Sequence, residues 1–136
     1  MRKLIVGVLA LAVLACGGDK STSPRATVVG TYTLQTVNGQ NLPVTFFQNA
    51  EEKDEILSGT VSLNSDGTFT DKSNIRVTIT GRNPQTFPFD FAGRYTLNGN
   101  NVTFTVTQSG DTYSMAWDGA NQLTQAEVGF TLIYQK

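Results

Sequence analysis

The chain has 136 residues, 39% of them hydrophobic, with a formal net charge of −1, one cysteine and no histidine. Without histidine the commonest general base and metal ligand near neutral pH is missing, so zinc, copper and triad chemistry are not expected and no metal or cofactor is implied. The weakly acidic balance also lacks the basic face that nucleic-acid binding requires.

Met1-Arg2-Lys3 precede an uncharged, mostly apolar run from Leu4 to Ala15 that stops at Cys16. A membrane-spanning helix needs about 20 such residues. The shorter run predicts a signal peptide over residues 1–15. Val13-Leu14-Ala15-Cys16 resembles the lipobox of bacterial lipoproteins, in which small residues precede a cysteine that becomes the acylated N-terminus. The resemblance implies a lipid on Cys16 and a place in the cell envelope. Because Gly17, not aspartate, follows the cysteine, it further implies the outer membrane, facing the periplasm. As the lone cysteine, Cys16 has no partner for an intramolecular disulfide. Residues 16–26 are rich in Gly, Ser, Thr and Pro and read as a flexible tether. Loss of Arg2 and Lys3 with the signal leaves eight basic against eleven acidic residues, a net charge of −3.

From Thr27 to Lys136 there is material for one domain. Short runs rich in Val, Thr, Phe and Tyr alternate with period two and are punctuated by Asn38-Gly39, Asp66-Gly67, Asn98-Gly99, Gly110-Asp111 and Asp118-Gly119. These dipeptides suit the positive backbone angles of tight hairpins. Strands are expected near 28–37, 43–48, 55–65, 67–80, 85–98, 101–109, 112–118, 121–126 and 128–135. The stretch Gln48 to Glu55, with its run Glu51-Glu52-Lys53-Asp54-Glu55, reads as an acidic loop, with a helical turn as the alternative. Asn64-Ser65-Asp66-Gly67 shares part of a calcium-loop pattern but lacks its ligand spacing and reads as a hairpin turn.

Alternation assigns the faces. Phe87, Phe89, Phe91, Gly93, Tyr95 and Leu97 share one side and are expected in the core. Val61, Leu63, Phe69, Ile75, Val77, Ile79, Val102, Phe104, Val106, Tyr113, Met115, Trp117, Phe130, Leu132 and Tyr134 are expected to join them. Thr60, Ser62, Arg76, Thr78, Thr80, Thr103, Thr105 and Thr107 fall on the wet side. Eight or nine short antiparallel strands expose two edges unless the sheet closes. The expected fold is therefore all-β, an antiparallel up-and-down barrel of eight or nine strands. A two-layer sandwich and an integral outer-membrane barrel are the rivals.

Three segments resemble the lipocalin-like (calycin-type) domains of small bacterial lipoproteins: Gly30-Thr31-Tyr32, similar to the G-x-W signature with tyrosine for tryptophan; Ser65-Asp66-Gly67-Thr68-Phe69; and Arg94-Tyr95-Thr96-Leu97-Asn98-Gly99-Asn100. The resemblance implies that Tyr32 packs across the barrel floor against a basic residue, for which Lys136 is the candidate.

An eight-stranded barrel either fills its interior with side chains or holds one small ligand. The many inward rings favour a packed core. For a pocket, the wall candidates are Phe89, Phe91, Tyr95, Phe104, Tyr113 and Trp117. The expected partners are thus a membrane, through the lipid, and a small hydrophobic ligand, with any protein partner unspecified. A hydrolase-inhibiting or other interaction module acting through hairpin loops, and a purely structural envelope domain, are the alternatives. No nucleophile and base arrangement is recognisable, so enzymatic activity is not expected.

Overall fold

The computed structural model describes residues 27–136; the expected signal peptide (residues 1–15), the expected tether (16–26) and Cys16 lie outside them. Ten strands follow one another: β1 (Gly30–Val37), β2 (Gln40–Asn41), β3 (Val44–Gln48), β4 (Glu52–Leu63), β5 (Thr68–Ile79), β6 (Gln85–Asn98), β7 (Asn101–Val106), β8 (Thr112–Trp117), β9 (Gln122–Glu127) and β10 (Phe130–Gln135). All neighbours are antiparallel. β1 closes the sheet by pairing through Gly30–Thr33 with β4 and through Thr33–Val37 with β10. The result is an eight-stranded up-and-down barrel, lipocalin-like in architecture, with β2 and β3 as additions. The closure excludes the sandwich.

Turn chemistry holds the register. Asn38 and Gly39 both have positive φ, 52° and 76°, as a two-residue hairpin turn requires. Asp66 joins β4 to β5 by accepting from the Thr68 backbone N–H at 2.9 Å and its hydroxyl at 2.6 Å. Asp118 accepts from the N–H groups of Ala120, Asn121 and Gln122 between β8 and β9. These short bonds from neutral donors hold both carboxyls below the usual carboxylate range.

Inside, Phe69, Phe104 and Tyr113 form a plug. Phe104 stacks on Tyr113 with centroids 4.7 Å apart, and Phe69 meets Phe104 edge-on at 4.9 Å. Tyr113 and Phe104 are direct cross-strand partners, so the ladder itself imposes the stack. Room for Phe69 comes from Gly93, where a Cβ would collide with the Thr105 carbonyl oxygen and press on the Phe69 ring. Below the plug lie Tyr32, Val61, Leu63, Val102, Met115 and Leu123, all fully buried.

One end is shut. Tyr32 donates its hydroxyl to the Val28 carbonyl at 2.7 Å. Burial, with the Asp118 charge second, pushes its phenol up to about 12. The Lys136 ammonium stands 5.3 Å from the Tyr32 ring centroid and donates to the carbonyls of Thr27 and Val29. Gly30 lets the Lys136 stem pass, since a Cβ there would meet its Cδ. The contact expected between Tyr32 and Lys136 is therefore present.

The other end is uneven. β7 pairs with β6 only as far as Gly93, whereas β5 accompanies β6 to Gln85. The upper parts of β4, β5 and β6, edged by β3, therefore project beyond the rim as a flap. This corrects the expectation for Phe87, Phe89 and Phe91. They do share the inward face with Gly93, but Phe91 stands at the rim and Phe89 and Phe87 above it, and the three, from Phe87 to Phe91, are 43%, 44% and 45% exposed. Ile79, at the flap's end, and Leu97, at the opposite end of β6, are likewise exposed and outside the core. Pro88 fits a strand only because β6 has a neighbour on one side there. Its missing N–H also obstructs pairing with a further strand.

The acidic run is corrected too: only Asn49, Ala50 and Glu51 lie between strands, and β4 begins at Glu52. Glu55 accepts from Lys53 at 2.9 Å and from Arg76 at 2.8 Å on the flap's outer face, which fixes the run in extended form. Those bonds, Lys53's first and Arg76's second, lower its pKa. The barrel's outward face carries exposed Thr31, Thr33 and Thr105 while its rings point inward, the reverse of an integral barrel's lipid-facing band.

Two phenylalanines with the same sequence pattern should respond oppositely to truncation. Phe104→Ala is expected to cost about 3–5 kcal/mol, and Phe89→Ala within about 0.5 kcal/mol of zero, as measured by urea unfolding.

Candidate functional site

Above the plug the barrel opens into a cavity of about 270 Å³. Phe91 and Asp71 supply one wall, Val106 and Tyr113 the base, and Gln125 and Glu127 the far side, with the β7–β8 connection at Ser109 and Asp111 closing the rim. Its opening follows from the ladders. β8 pairs with β9 only at Ala116–Thr124 and Trp117–Leu123, while Gln125 and Glu127 keep to β10. Beyond those two pairs the wall parts beside Tyr113.

Tyr113 serves both the core and the cavity. Its ring stacks on Phe104, and its hydroxyl donates to Asp71 Oδ2 at 2.8 Å. Asp71 is a partly buried carboxyl on the inward face, opposite Phe91 on β6 and Val61 on β4. Burial raises its pKa above the usual carboxylate range, and the Tyr113 hydrogen bond offsets part of that rise. Tyr113 and Tyr134 are both pushed upward, first by burial and then by the Asp71 charge. At the rim the Gln125 amide donates to Glu127 Oε1 at 2.7 Å.

The six residues named from sequence as pocket walls are not brought together. Phe91 and Tyr113 line the cavity. Phe89 stands farther out on the flap, and Phe104 is wholly buried beneath Tyr113. Tyr95 and Trp117 belong to the shut end: the Tyr95 hydroxyl donates to the Asn64 carbonyl at 2.7 Å, and Trp117 borders a surface depression with Thr27 and Leu97. The Trp117 indole N–H is buried without a hydrogen-bond partner. Sequence reasoning missed Asp71, although its position two residues from Phe69 placed it on the inward face. Gln125 and Glu127 carried the same signal, two and four residues from the buried Leu123.

No protein-family model, no curated protein and no solved structure matches the chain. Fold and site together define a closed up-and-down barrel with a packed interior, a shut floor and an open mouth overhung by an aromatic sheet.

The Asp71 carboxyl makes a pH prediction. Its folded pKa lies above its unfolded one, so the folded state holds the proton more tightly and stability declines as pH rises from the unfolded value through the folded one. Asp71→Asn keeps an acceptor for Tyr113 and removes the buried charge. The variant should be at least as stable as the parent at pH 7, with the difference vanishing near pH 3. Denaturant titrations at both pH values provide the check.

Proposed function

We propose that the protein is a lipid-anchored envelope protein whose barrel binds a small hydrophobic molecule at its open end. The observation that carries the reading is the exposed ladder of Phe87, Phe89 and Phe91, which leads directly to the cavity lined by Phe91 and Tyr113. An aromatic row facing solvent is unfavourable unless something covers it. A concave site with apolar walls and a few polar groups is the usual form of a small-molecule site. Because the aromatic plug fills the barrel, such a ligand lies in the mouth and along the flap.

The anchor rests on the lipobox resemblance at Cys16. The chain enters the barrel at the shut floor, where Lys136 holds the Thr27 carbonyl. Residues 16–26 can span at most about 40 Å when fully extended. A lipid on Cys16 would thus leave from the end opposite the mouth and favour a mouth turned away from its own bilayer.

Two experiments test the parts separately. Metabolic labelling with an alkyne fatty acid should mark the parent chain and fail to mark Cys16→Ala; equal labelling removes the anchor. The neutral fluorophore N-phenyl-1-naphthylamine should brighten on the purified protein. Phe87→Ser with Phe89→Ser should weaken its binding about tenfold, given about 1.5–3 kcal/mol for each fully buried ring. Unchanged binding in that variant removes the flap from the site.

A further inference from the structure

The basic residues of the flap's strands all lie on its outer face, where Glu55 and Asp90 accompany them. Lys53 pairs with Thr78, Lys72 with Asp90 and Thr60, and Arg76 with Thr86 and Glu55, all on the outer face. The inner face carries carboxylates without any lysine or arginine: Asp71 opposite Phe91, Asp54 opposite Val77 and Phe47, and Glu52 opposite Ile79. Glu127 and Asp111 add carboxylates across the cavity, and no lysine or arginine lines it among the described residues. Asp54 Oδ1 is moreover buried without a hydrogen-bond partner. The apolar ladder between these carboxylates is long enough for a chain: Phe91, Phe89 and Phe87 stand two residues apart, covering about 13 Å.

An exposed apolar strip explains affinity for a hydrocarbon chain, and the carboxylates decide which head it carries. A fatty-acid carboxylate in the cavity would face Asp71, Asp111 and Glu127 with no cation to offset them, and like charges at contact range repel strongly where water is partly excluded. A head that donates hydrogen bonds and carries positive charge satisfies Asp71 and relieves the cost of its burial.

Resting on the mouth as the binding site, we propose that its ligand is a cationic amphiphile. A protonated amine or similar nitrogen head sits against Asp71 and Glu127, and a single apolar chain lies along Phe91, Phe89 and Phe87. The barrel discriminates against carboxylate-headed chains of equal length.

The test is displacement of N-phenyl-1-naphthylamine from the purified protein by dodecylamine, dodecanol and dodecanoate, at neutral pH, low salt and sub-micellar concentration. Dodecylamine should displace the probe at about tenfold lower concentration than dodecanoate, with dodecanol between them. Asp71→Asn, which keeps its bond to Tyr113, should shrink that ratio to about threefold or less, and Glu127→Gln should reduce it to a smaller extent. Equal or better displacement by dodecanoate overturns the head-group assignment while leaving the mouth as a binding site, as does a ratio unmoved by both substitutions. Failure of the parent protein to bind the probe strikes the mouth itself. A dimer in sedimentation that dissociates on Phe89→Ser, without probe binding, would give the flap to a second copy and overturn the proposal.

Discussion

The stack of Tyr113 on Phe104, with Phe69 set edge-on against Phe104, determines what the barrel can be. It places three rings across the lumen at one level, and Gly93 is the opening in the wall that admits Phe69. Below that level every inward side chain meets another and the floor is sealed. Above it the wall opens into the cavity, and beyond the cavity β7 to β10 have ended while β4, β5 and β6 continue, so the flap's rings face no strand. One inward face therefore has two fates: buried where the ring of strands is complete, and open to solvent where it is not.

The floor shows how a small barrel secures a closed end. Lys136 lays its stem over Gly30, places its ammonium above Tyr32 and ties down the carbonyls of Thr27 and Val29. The lysine thus combines packing, a cation–π contact and hydrogen bonds to two backbone carbonyls. The first strand and the last residue are locked together where β1 also bridges β4 and β10, so the closure of the sheet and of its end share the same residues.

Much of this was legible because alternation by two is a local property. The bounds expected for the sixth strand, 85–98, are those observed, and Phe104, Met115 and Trp117 fall on the buried side as their parity requires. The end of a neighbouring strand is not a local property. Nothing within Phe87-Pro88-Phe89 reveals that β7 stops at Val106, although Pro88 was a hint that one side of that strand is free. The run from Glu51 to Glu55 misled for a related reason: its charges suggested solvent, but Arg76 neutralises Glu55 from a strand more than twenty residues away. Asp71 is hard to read from sequence because an acidic side chain favours solvent by its chemistry while its parity points inward.

That conflict between chemistry and parity is itself informative. A carboxyl on a core-facing position of β5 costs stability through desolvation, and Tyr113 offsets only part of the cost. Thr70 and Lys72, on either side of it, point outward and show that the strand alternates without interruption there. The sheet therefore holds Asp71 inward by register, beside a cavity where a neutral residue would pack at lower cost. The opposite inward wall, β9, repeats the pattern with Gln125 and Glu127 at the same height. Polar inward positions begin at the level where the aromatic plug ends, on strands that are apolar below it. This change of chemistry at one level is what separates a core from a mouth in this barrel.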